Sequence, residues 1–147
     1  MSTRVIDARV AVKWAVEETY SDEALALLTD GLAAGDRFIA PALLRSEMTN
    51  TVYQLVRRAK LAAADAPDLL ALLLEFPVRL VARERLHHEA LDIAREHGLS
   101  ATYDAQYLAL ASMLDAEFWT ADERLYRSAR ASGRVRWIAE YRSTAGS

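Results

Sequence analysis

The stretch RVIDARVAVKW, residues 4–14, decides how the chain is read. Its first part, Arg4 to Asp7, is short, apolar and β-branched, the composition of a strand buried on both faces. From residue 9 the pattern changes to a helical one, and a single carboxylate, Asp7, stands at the seam. The same alternation recurs along the chain. Brief strand-like runs lie at Arg37–Pro41, Val78–Val81, Glu117–Thr120 and Val135–Ile138, and a proline ends the second of them. Helical periodicity covers roughly residues 9–17, 22–34, 42–59, 65–76, 84–97, 103–114 and 122–132. Ser21 before Asp22 and Glu23 makes a helix start, since the first turn favours negative charge, and Gly35, Gly98 and Gly133 follow helical runs where a left-handed cap suits glycine. Short strands alternating with longer helices predict an α/β fold, a small parallel sheet of four or five strands flanked by about seven helices. In open parallel sheets, sites form at the carboxyl ends of the strands.

The bulk properties narrow the function. A chain of 147 residues fits one domain with one sizeable core, and 52% hydrophobic with 27% charged residues is an ordinary globular composition. The longest apolar runs are too short to span a bilayer, and the N-terminal run is too short for a signal peptide, so no membrane association is expected. The absence of cysteine excludes disulfides and thiolate metal sites and suits a cytoplasmic location. The net charge of −3 requires any contact with nucleic acid to come from a local patch.

Four acids fall where the fold predicts a site. Asp7 ends the first strand, and Asp122 follows the fourth by two residues. Asp104 opens the helix in LSATYDAQYLALASML, and Glu47 sits one turn into the helix after the second strand, with Asn50 three residues on and on the same face. Asp104 and Asp122 would also serve as first-turn helix acids, and Glu47 as a solvated helix residue. Asp7 is harder to place, because an acid after a buried strand is costly unless paired. Clustered carboxylates must hold protons or cations, and hard ions such as Mg2+ or Mn2+ prefer oxygen ligands. Such ions activate water and stabilise the leaving oxygen in phosphodiester hydrolysis, without cysteine, histidine or a glycine-rich loop.

The segments VIDARVAVKW, APALLRSEMTNTV, GLSATYDAQYLALA and FWTADERL, in this order, resemble the PIN domain, specifically the VapC-type toxin ribonucleases. The resemblance runs from Val5 to about Ala129. It implies a small parallel sheet between helices and an Mg2+- or Mn2+-dependent endoribonuclease, the toxin of a type II toxin–antitoxin pair. It assigns metal binding to Asp7, Glu47, Asp104 and Asp122, and polar accessory positions to Asn50 and Thr120. The partners it implies are an RNA substrate, a VapB-like antitoxin and a second copy of the chain. The expected domain covers residues 1–138, with 139–147 a flexible C-terminal tail.

One position departs from the pattern. Where that family places a small polar residue two positions after the first aspartate, this chain has Arg9. Its guanidinium could pair with the acids, grip substrate phosphate, or turn to solvent. A non-catalytic PIN-like RNA- or protein-binding module, with Arg9 neutralising the acids, is the alternative to the nuclease. A phosphotransfer domain is disfavoured: a two-aspartate phosphatase would want an acid at position 9, and a receiver would want one ending VRLVARE. His87, His88 and His97 match no zinc motif. Arg57, Arg58 and Lys60, with Arg45 and Lys13, could form a basic patch. Among the aromatics, Tyr103 could stack on bases, whereas Trp14 and Tyr107 have the spacing of core residues.

Overall fold

The computed structural model describes residues 1–144. Five parallel strands, β1 (Thr3–Ile6), β2 (Arg37–Pro41), β3 (Val78–Val81), β4 (Glu117–Thr120) and β5 (Val135–Trp137), form one sheet in the order β3-β2-β1-β4-β5. Seven α-helices lie between them: α1 (Ala8–Val12), α2 (Ser21–Ala34), α3 (Leu44–Arg57), α4 (Ala66–Glu75), α5 (Glu84–His97), α6 (Tyr103–Leu114) and α7 (Glu123–Ala129). The expected α/β architecture is the observed one. Consecutive residues of a strand point to opposite faces, and Val5 and Ile6 of β1, like Phe118 and Trp119 of β4, are all buried. Both faces of the sheet centre are therefore covered, as parallel sheets require. No helix among the described residues is long and apolar enough to cross a membrane.

The chain lays down β1, β2 and β3 in one direction, then returns to place β4 on the other side of β1. Strand order reverses between β1 and β4, the position at which open parallel sheets form a crevice beyond their carboxyl ends. The register pairs Ile6 with Trp119, which brings the residues after them, Asp7 and Thr120, level at that crevice.

Three boundaries differ from the periodicity. The first helix spans only Ala8–Val12 rather than 9–17, and tight turns through Ala15 replace its second half. Those turns aim Trp14 inward, where its indole N–H donates to Ala24 O at 2.9 Å and its ring meets Phe38 and Phe76 edge-on. β5 stops at Trp137, and Ile138–Glu140 form a 3₁₀ turn. The packed region also continues past the expected end at 138. Tyr141 is buried against Trp119 and donates its hydroxyl hydrogen to Asp30 at 2.7 Å, because an amphipathic ring gains more from burial with one polar partner than from solvent. Residues 145–147 of the expected tail lie outside the described residues.

Candidate active site

Asp7 is the first residue after β1 and is 1% exposed. Each of its carboxylate oxygens has a partner. Oδ1 caps α1 by accepting from the Val10 N–H at 2.9 Å, and Oδ2 accepts from the Thr120 hydroxyl at 2.5 Å. Thr120 is itself fully buried, and its Oγ1 also accepts the Asp122 backbone N–H at 3.0 Å. One hydroxyl thus links the acid after β1 to the segment carrying the acid after β4. Asp122 caps α7: its Oδ1 accepts the N–H groups of Arg124 and Leu125, leaving Oδ2 facing the crevice.

Asp104 lies in the first turn of α6 but caps nothing; Thr102 holds the cap position, without a side-chain bond. Its carboxylate turns to Arg9. The Arg9 guanidinium places Nη1 3.5 Å from Asp7 Oδ2 and 3.6 Å from Asp104 Oδ1, and Nη2 3.6 Å from Asp122 Oδ2. Three acids from three segments therefore surround one cation supplied by the chain. Glu47, in the first turn of α3, is the fourth member. Its Oε1 accepts from the Tyr107 hydroxyl at 2.5 Å, and it borders, together with Arg9 and Asn50, a cavity of about 390 Å³. A second cavity of about 310 Å³ lies beyond Arg9, bordered by Asp104, Asp122 and Arg124.

The electrostatics follow from this crowding. Burial pushes the Asp7 carboxyl up, and the charge of Asp104 adds to it against the lowering effects of Arg9, Thr120 and Val10. Burial likewise raises Glu47, with the charges of Asp7 and Asp104 adding and the Tyr107 hydrogen bond and Arg9 opposing. Asp104 is raised by burial and by Asp122, against Arg9. For Arg9, burial works against the charged form, but the surrounding acids outweigh it and hold the guanidinium more firmly protonated than usual. Tyr107 is pushed far above the ordinary tyrosine range by burial and by Glu47, so it stays a hydrogen-bond donor.

The structure thus gathers Asp7, Asp104, Asp122 and Arg9 into contact, sets Glu47 and Asn50 beside them, and places Thr120 beneath as a brace. Arg9 faces inward. Among the described residues no three acids group closely enough to enclose a metal ion, since the carboxylates approach the guanidinium rather than one another. The donor set is nevertheless one of hard oxygens around a common centre, the chemistry that suits Mg2+ or Mn2+. Lys13 does not join a basic patch; it turns to Glu18 at 2.9 Å. The residue that sequence reasoning missed is Tyr107. Its ring stacks on Phe118 with centroids 5.5 Å apart, as a core residue should, but its hydroxyl fixes Glu47. The available signal was a tyrosine, rather than phenylalanine, at a core position, because a buried phenol must find a partner.

Comparison with known proteins places the chain in a family. A family model described as PIN domain matches residues 5–143. The VapC ribonuclease Mb0985 of Mycobacterium bovis and the ribonuclease VapC9 of Mycobacterium tuberculosis are each 36% identical over 104 residues, covering 68% of this chain and 80% of the relative. The crystal structure of PAE2754 from Pyrobaculum aerophilum superposes with a TM-score of 0.66 over 94% of this chain and 92% of that one, at 20% identity, which speaks to the fold alone. With the matched region spanning all four acidic segments, the chain belongs to the PIN-domain family, in its VapC-type group.

Proposed function

We propose that the protein is a metal-dependent endoribonuclease, the toxin of a type II toxin–antitoxin pair, restrained by a VapB-like antitoxin and acting as a homodimer in the cytoplasm. The observation that carries the nuclease reading is the convergence of Asp7, Asp104 and Asp122 on one cation at 3.5–3.6 Å, with Glu47 bordering the cavity on the other side of that guanidinium. The ribonuclease names of the relatives, 36% identical to this chain, support the choice of RNA. Antitoxin, dimer and location rest on family membership.

In this reading Asp7, Glu47, Asp104 and Asp122 would hold Mg2+ or Mn2+ in place of the half-exposed Arg9 guanidinium. Such an ion, when bound, lowers the pKa of a water nucleophile and neutralises charge at the scissile phosphate. The chain's own groups do the positioning. Thr120 and the Val10 N–H fix both oxygens of Asp7, the Tyr107 hydroxyl fixes Glu47, and the α7 N-terminus fixes Asp122, so that donors are aimed before substrate arrives. Once displaced, the Arg9 guanidinium would be free to pair with two oxygens of a phosphate in bidentate fashion.

The alternative, a binding module without catalysis, is favoured by the same Arg9 contacts, because a guanidinium already neutralises the acids without metal. Incubating the purified protein with RNA in Mg2+ or Mn2+, and again with chelator, separates the two. The nuclease cleaves only with the ion. Tight RNA binding with no cleavage under either ion would establish the module.

A further inference from the structure

The cavity of about 390 Å³ on the α3 side of Arg9 is large enough for a small planar ligand, within the range of small-molecule sites, and its walls are of two kinds. Tyr103 and Leu43 give it aromatic and apolar surface. Ser46 and Asn50, both exposed on α3, give it a hydroxyl and an amide that make no side-chain hydrogen bond among the described residues. Tyr103 is the first residue of α6 and is 64% exposed, and its ring makes no aromatic pair among the described residues. It stands one helical turn before Tyr107, on the same face, and immediately before Asp104. The exposed ring borders the same cavity as Glu47 and Arg9.

A flat ligand with apolar faces and polar edges, joined to a phosphate, fits this set. From it we infer that the cavity is a nucleobase subsite, in which the base next to the scissile phosphate stacks on Tyr103 and presents its edge to Asn50 and Ser46. The inference rests on the ribonuclease reading and adds where the strand lies. Aromatic stacking accepts any base, because every base has a π-face, whereas an amide sets a donor NH2 beside an acceptor carbonyl and discriminates between edges. Tyr103 then sets how tightly RNA is held, and Asn50 which base is favoured. On the other side of Arg9, Arg124 borders the second cavity and continues the path of the strand.

The test measures binding of fluorescently labelled homopolymeric RNAs of A, C and U to the full-length protein by anisotropy, with and without Mg2+, for wild type, Tyr103→Phe, Tyr103→Ala and Asn50→Ala. Thermal melts check that each variant is folded. The subsite predicts that Tyr103→Ala weakens binding on the order of 10-fold or more, the loss of one stacked base, while Tyr103→Phe binds as wild type does. Asn50→Ala should change the order of preference among the three RNAs. Binding by wild type that is unaffected by Tyr103→Ala, or equally impaired in Tyr103→Phe, overturns stacking. An unchanged order in Asn50→Ala overturns edge readout. Wild-type protein that binds none of the RNAs under either condition overturns the ribonuclease reading along with the subsite.

Discussion

Replacing Arg9 with serine should tighten the binding of divalent cations. The guanidinium stands 3.5 Å from Asp7 and 3.6 Å from both Asp104 and Asp122, in the space that the oxygens of these acids face. A cation from solution must displace it. In the lower dielectric near a protein surface, unit charges at this range attract by about 4 kcal/mol per pair. The Arg9 side chain is 45% exposed, so solvent screening applies, and each contact is worth about 0.2–1 kcal/mol. Three contacts give about 0.6–3 kcal/mol, or roughly 3- to 140-fold in affinity at about 1.4 kcal/mol per factor of ten. Isothermal titration of Mn2+ into wild type and Arg9→Ser reads this difference directly. The gain should shrink as salt is added, because salt screens what the guanidinium contributes. Equal affinities would show that Arg9 does not compete for the site and would refute the argument from the ion pairs.

Three further outcomes follow from the same crevice. Native Asp7, Glu47 and Asp104 titrate above the ordinary values of 3.8 for aspartate and 4.5 for glutamate, so between those values and the native ones the folded state holds more protons than the unfolded state. The contribution of these groups to stability therefore falls as pH rises through that window; urea melts of metal-free protein should show it, and Asp7→Asn should flatten the slope. Tyr107→Phe keeps the stack on Phe118 but frees Glu47, so RNA cleavage should fall while stability drops by about 0.5–1.5 kcal/mol, measured side by side by initial rates and denaturant unfolding. Thr120→Val removes the one hydroxyl shared by Asp7 and Asp122 and leaves a buried carboxylate oxygen short of a donor, a loss of about 1–3 kcal/mol by denaturant unfolding.

What could be read from the chain divides along physical lines. The strands and most helices were legible because burial on both faces leaves unbroken apolar runs, and because helix ends carry their own chemistry, as at Gly35 and Gly98, which cap α2 and α5 with φ of 76° and 62°. The acids were legible as a set because strand ends and helix starts locate the sheet's crevice before any side chain is placed. The direction of a side chain was not. Arg9 leaves a five-residue helix too short for periodicity to assign a face, and only packing shows it turned inward. Tyr107 reads as core, which it is, and nothing local reveals that its hydroxyl reaches Glu47, 60 residues away in sequence. Tyr141 was lost to the polar residues after it, since its partners, Trp119 and Asp30, lie far off in the chain.

The central claim is that the four acids hold a catalytic cation, and Asp104 tests it most directly because its carboxylate caps no helix and, among the described residues, meets no side chain but Arg9. The measurement is the initial rate of Mn2+-dependent cleavage of single-stranded RNA by wild type and by Asp104→Asn, with a thermal melt of each. The account predicts a loss on the order of 10²–10³ in rate, as for the removal of one preorganised electrostatic group, with the fold intact. Cleavage by Asp104→Asn at the wild-type rate would contradict it.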